Sequence, residues 1–277
     1  SVYVESAVNG TNTINANSST WYISGDFYNQ GTFNAGSSTV TFTGADNTIT
    51  VTSVSDSFTE THFNNVVIAE GAKYAVIVQE NEDNYTLALS GKLTVNGTLT
   101  TGENADYTIL VQQTGTLEIG SSGELTGSGA FAIIIDDDPD IISNGNEEGI
   151  SISQFLYLIV NGATAAPVLA TSYGDGLAIF CVPLNEEQGP TGTAVLSEGT
   201  LSAGALLVAG LFPGYTAVLT VNNTSTVEVT GDLLIAAGGA LTCVGAANIT
   251  VGGNWDSSGG TFNAGSSTVT FTGADNT

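Results

Sequence analysis

The densest group of oxygen donors in the chain is Asp136-Asp137-Asp138-Pro139-Asp140, directly after the apolar run Ile133-Ile134-Ile135. Hard cations such as Ca²⁺ collect several oxygens at once, and an Asp-rich turn at the end of a strand supplies them. Asp136, Asp137, Asp138 and Asp140 are therefore the candidate calcium ligands, and no other cofactor is suggested. The spacing lacks the alternation and Gly of an EF-hand loop, so the competing reading is a solvated acidic turn. A second acidic group, Glu80-Asn81-Glu82-Asp83-Asn84, reads as an exposed loop.

Nucleophilic and acid–base chemistry finds little to work with. The single histidine, His62, has no serine or cysteine motif near it. Glycoside hydrolysis needs two carboxylates at a defined separation, and the Asp136–Asp140 group lies in no recognisable sugar cleft. Proton abstraction beside a uronate calls for Arg or Lys, yet the chain has no Arg and only Lys73 and Lys92. No enzymatic activity is expected. Cys181 and Cys243 each sit in an apolar run, and their spacing resembles no zinc site. They are read as buried free thiols, with a Cys181–Cys243 disulfide as the alternative in an exported protein. Seven Asn-x-Ser/Thr sequons, at Asn9, Asn17, Asn84, Asn96, Asn222, Asn223 and Asn248, are candidate N-glycosylation sites and fit an exported chain.

Charge excludes whole classes of partner. The 27 acidic residues face two lysines, for a formal charge of −25. Two lysines cannot build the footprint that displaces counterions from nucleic acid, nor one that holds an anionic membrane surface. No apolar run approaches the roughly 18–20 residues that span a bilayer, so membrane insertion is not expected. The chain has no methionine, and it is read as processed or as a piece of a longer product.

The elements that must carry these residues are short strands. Thr39-Val40-Thr41-Phe42-Thr43 sets Val40 and Phe42 on one face and three threonines on the other, and Thr48-Ile49-Thr50-Val51-Thr52 repeats the design. Such Thr-x-Thr strands also occur on ice-binding solenoids. Here the threonines keep no sequence register over many coils, so they are read as ordinary exposed strand positions. Trp21, Tyr22 and Tyr28 are read as core caps, with glycan or subunit contact as the alternative. Gly corners punctuate the strands. Gly25-Asp26-Phe27 leads to Gly31-Thr32-Phe33, Gly91-Lys92-Leu93 to Gly97-Thr98-Leu99, Gly231-Asp232-Leu233 to Gly239-Ala240-Leu241, and Gly253-Asn254-Trp255 to Gly260-Thr261-Phe262. Above this short period lies a long one. Gly260 to Thr277 repeats Gly31 to Thr48 letter for letter, at an offset of 229 residues, which identifies a duplicated unit.

Gly corners recurring about every 20–25 residues predict a right-handed parallel β-solenoid (β-helix) rod, with tandem β-sandwich modules as the alternative. Solenoid coils are expected over 1–132 and again over 214–277, where the next repeat begins. The pattern is poor over 133–213, which is expected to be an irregular β segment or an inserted lobe. The run GDFYNQGTFNAGSSTVTFTG (25–44), followed by Thr61-His62-Phe63-Asn64-Asn65-Val66-Val67-Ile68, resembles repetitive cell-surface β-solenoid proteins of bacteria and archaea, the adhesin and surface-filament class. That resemblance covers about 25–130 and 215–277 and carries over no catalytic residue. It implies an extracellular structural protein whose partners are identical subunits or adjacent repeats, joined end to end in a filament, sheath or stalk. A glycan- or cell-binding adhesin is the alternative, and a polysaccharide-active β-helix enzyme the third.

Overall fold

The computed structural model describes residues 1–4, 6–7, 10–51, 61–78, 84–101, 107–112, 116–120, 122–126, 130–135, 140–143, 151–152, 155–160, 165–168, 172–181 and 191–274. Among them there is no helix, and the strands pair in parallel except for one two-residue hairpin, Ser6–Ala7 with Gly10–Thr11. β-Branched Thr, Val and Ile recur at alternate positions, and Gly prevents any helical run from lengthening. The chain forms two compact units, Ser1–Ala132 with Ile142–Ile150, and Ile133–Ile141 with Ser151–Thr277. The protein is a β-solenoid, as the Gly corners predict, and not a set of sandwich modules.

In the first unit the chain visits three faces in rotation. The first face is built from Val2–Val4, Phe27–Asn29, Ala45–Val51, Lys73–Val78, Thr98–Thr101 and Glu124–Thr126, in that order. The second takes Thr13–Asn15, Thr32–Asn34, Thr61–Phe63, Asn84–Leu89 and Tyr107–Gln112. The third takes Thr20–Ile23, Thr39–Phe42, Asn65–Ile68, Leu93–Val95 and Thr116–Ile119. Alternation turns one side of every strand inward, so equivalent residues stack: Trp21 under Val40 under Val66 under Leu93, and Ile23 under Phe42 under Ile68 under Val95. Rings fill the middle of this unit. Phe63 lies 5.2 Å from Phe27, 5.4 Å from Phe33 and 6.2 Å from Phe42, and Tyr74 lies 4.8 Å from Phe42. One irregularity interrupts the first face. Asp46 is an extra residue opposite the Lys73/Tyr74 step, at φ 109°, and its carboxylate meets Lys73 at 3.5 Å.

The second unit repeats the rotation. Its first face is Ser151–Ile152, Ser172–Tyr173, Thr200–Ala203, Thr226–Val229, Asn248–Val251 and Thr268–Phe271. Its second is Phe155–Val160, Gly176–Cys181, Leu206–Gly210, Leu233–Ile235 and Trp255–Asp256. Its third is Ala165–Pro167, Thr191–Leu196, Thr216–Val221, Gly239–Cys243 and Thr261–Asn263. The described strands between 151 and 213 take their places in these parallel sheets. The sequence pattern fades there because Gly176–Cys181 is buried at all six positions, so the polar half of the alternation is missing.

The paired glycines do the work expected of them, through close approach. A Cβ on Gly97 would lie 2.3 Å from the carbonyl oxygens of Ala69 and Ala72, and one on Gly239 would lie 2.0 Å from that of Val208. At each corner the chain rests directly on the backbone of a neighbouring turn, which only Gly permits.

Candidate assembly surfaces

Of the residues that sequence chemistry singled out, the described ones lie on separate strands and corners. Asp136, Asp137 and Asp138 lie outside the described residues, and Asp140 opens the strand Asp140–Ser143. Among the described residues no group of three His, Cys, Asp or Glu side chains could hold a metal ion. His62 sits on the strand Thr61–Phe63, paired with Asn34 on one side and Ala88 on the other. Lys92 pairs with Glu118 of the next layer. Asn9 lies outside the described residues. Asn17, Asn223 and Asn248 are exposed, Asn96 and Asn222 are half-buried, and Asn84 opens the strand Asn84–Leu89.

Cys181 and Cys243 are free and buried. They end strands on different faces, two layers apart. Layers stack at about 4.8 Å, so two layers already exceed the roughly 7 Å limit on Cα separation for a bridge, and the alternative disulfide is not formed. Burial pushes both thiols above their ordinary pKa. For Cys181 this is partly offset by backbone hydrogen bonds from Gly192 and Thr216, and in both thiols burial is the largest effect.

The arrangement that does stand out is the duplicated coil. Its two copies take the same local structure. Gly36 and Gly265 have φ of 58° and 55°. Ser38 N–H donates to Ala35 at 3.0 Å and Ser267 N–H to Ala264 at 2.9 Å. Thr43 N–H donates to Ile23 at 2.8 Å and Thr272 N–H to Val251 at 2.9 Å. Even the surface amide is reproduced, Asn34 donating to Asn15 at 2.8 Å and Asn263 to Thr242 at 3.1 Å. The copies belong to different units, and within each unit TFN and TVTF lie on two successive faces.

The copies also differ in cover. Thr39–Phe42 is paired on both sides, by Thr20–Ile23 and by Asn65–Ile68, and Phe42 is 0% exposed. Among the described residues Thr268–Phe271 is paired by Asn248–Val251, and Phe271 is 53% exposed.

Three outer surfaces complete the picture. On the first face of the second unit, Thr200, Thr226, Asn248 and Thr268 form one row in register, and Ser202, Glu228, Thr250 and Thr270 another. Register over four layers is therefore present where none was expected. The second face of the same unit is apolar outside as well as inside. Ala178, Phe180 and Ala209 cluster beneath Leu207 and Ala236, with Leu234, Leu211 and Phe212 exposed nearby. In the first unit Tyr3 pairs in register with Tyr28, their rings 5.8 Å apart, and Tyr3 and Tyr22 are both exposed.

Comparison with protein-family models, with curated proteins and with solved structures gave no match. What the fold's surfaces offer is chemistry of association: apolar area, exposed rings and rows of polar side chains in register.

Proposed function

We propose that this chain is an extracellular structural repeat protein of a microbial surface, whose layers continue end to end into a filament, sheath or stalk. The observation that carries this reading is the duplicated coil, in which identical residues are spent on corners, stacked core positions and ladder hydrogen bonds. Nothing in those eighteen residues converges on a reacting centre. A parallel ladder edge is a template for another parallel strand, and a contact between unlike ends of identical units is heterologous and propagates. The acidic skin keeps neighbouring solenoids apart in solution, as high like charge does, and N-glycans on Asn17, Asn223 or Asn248 would add to it. Electron microscopy of the native material tests the reading. Long uniform fibres are expected, and dispersed monomers at high concentration would contradict it.

A second reading, an adhesin for glycans, is favoured by the Tyr3–Tyr28 pair, because an exposed ring beside a half-buried one suits the apolar face of a sugar. It expects a saturable hit on a glycan array that is lost in Tyr28→Ala. An array without such a hit removes it.

A further inference from the structure

The five strands of the second unit's third face contain no Asp, Glu, Lys or Arg, in a chain with 27 acidic residues. The unit's other two faces each present an exposed carboxylate, Glu228 on the first and Asp256 on the second. On the third face alternation turns Ala194, Leu196, Leu219, Val221 and Leu241 inward. It leaves two outward rows in register. Thr193, Val218, Ala240 and Thr261 form one, and Val195, Thr220, Thr242 and Asn263 form the other. The strands Thr191–Leu196, Thr216–Val221 and Gly239–Cys243 are each paired on both sides, so the ladder fixes the rows. Outward neighbours along a strand are two residues apart, about 6.6 Å, and neighbours along a row one layer apart, about 4.8 Å. Across one such step the Asn263 amide donates to the Thr242 hydroxyl at 3.1 Å.

We infer that this face binds ice. A grid with two fixed spacings matches a partner that is itself periodic in two directions, and these spacings approximate those between oxygen rows on a prism face of hexagonal ice. Threonine suits such a surface. Its hydroxyl both donates and accepts, while its methyl, like those of Val and Ala, leaves the adjoining water to bond with other water. A carboxylate would instead impose its own firmly held hydration, and the grid has none. The same lack disfavours a mineral lattice, whose cations would call for carboxylates. Without aromatic rings in either row, a crystalline polysaccharide has no stacking partner here. The polar rows of the first face do not meet the requirement, because Glu228 interrupts them. Ice binding by this grid is independent of how the units are joined to one another.

The test uses the full chain. A single ice crystal is held in a supercooled droplet of the protein, and the protein content of slowly grown ice is read by absorbance after melting. A faceted crystal and enrichment in the ice are expected. Thr220→Asp, which sets a charge in the middle of one row, should give a round crystal and leave the protein in the liquid. Thr250→Asp, on the first face, should behave as the parent does. Circular dichroism establishes that each variant folds, and Thr242→Tyr, which raises a ring above the grid, carries the test should Thr220→Asp not fold. Three outcomes would overturn ice binding at this face. The parent leaves the crystal round and stays in the liquid, and a parent dimer split by Thr220→Asp would then assign the face to a second copy; the folded Thr220→Asp and Thr242→Tyr chains bind ice as the parent does; or Thr250→Asp abolishes binding as fully as Thr220→Asp, which would assign the effect to net charge.

Discussion

At Tyr74 a single buried hydroxyl serves three backbone groups in two preceding layers. Its proton is shared by the carbonyls of Ile23 at 2.9 Å and Gly25 at 3.0 Å, and its oxygen accepts the Gly44 N–H at 3.2 Å. Tyr74→Phe removes the hydroxyl partner of the Gly44 N–H and the Gly25 carbonyl in the interior, while the Ile23 carbonyl keeps the Thr43 N–H. A loss of about 1–3 kcal/mol is expected in chemical denaturation. The ring also titrates out of its usual range: burial, helped by the nearby Asp26 charge and opposed by the Gly44 hydrogen bond, raises its pKa. Below about pH 10 neither the folded nor the unfolded chain ionises this group, so its contribution is intact. Above that, the unfolded chain ionises first, and stability falls as pH climbs toward the folded pKa. Melting curves between about pH 9 and 11 should fall less steeply for Tyr74→Phe than for the parent. The thiols offer a second check at this scale. With Cys181 and Cys243 buried and their ionisation suppressed, a thiol reagent at pH 8 should label neither until denaturant is added. Little of this was legible in the sequence. The alternation of Lys73-Tyr74-Ala75-Val76 puts Tyr74 inside, but its hydroxyl partners lie 49 and 51 residues back, set by layers no local pattern describes.

The coil is the scale at which the sequence speaks most clearly. Each Gly pair marks a corner, and the strand between corners carries its inward residues at alternate positions. Because a Cβ at Gly97 or Gly239 would meet backbone carbonyl oxygen, and backbone cannot swing aside, Gly97→Ala and Gly239→Ala should each cost about 1–3 kcal/mol. Gly71→Ala is the informative control, since nothing lies within 4 Å of its Cβ and only its φ of 75° resists the change. It should cost less than either. Where the coil pattern fades, the reasons are physical. Over Gly176–Cys181 all six positions are buried, so period two disappears although the strand remains. The hydroxyl rows were hidden by unequal coils: Thr200, Thr226, Asn248 and Thr268 align in space, yet their sequence spacings are 26, 22 and 20. Corners absorb the difference, and the ladder restores register.

Over the whole molecule, charge and core pull in opposite directions. Only two lysines offset 27 carboxylates, and both are already committed, Lys73 to Asp46 and Lys92 to Glu118. Repulsion among the remaining acids favours the expanded chain. Raising NaCl from about 10 mM to about 150 mM shortens the screening length from about 30 Å to about 8 Å, and the melting temperature should rise accordingly. A fall would mean that attractive pairs dominate. The polar surface behind this prediction was legible from composition alone. The apolar outer side of the second unit's second face was not, because the ladder and not sequence spacing brings Ala178, Phe180 and Ala209 together.

That the duplicated coil takes the same local structure in both units bears on how such a chain changes by recombination. Unequal exchange between the copies adds 229 residues at a stroke. Because the corner glycine and the hydrogen bonds of the coil are the same in both copies, the joined coil keeps its geometry. Length then changes by whole units from one crossover, with no new corner to be found.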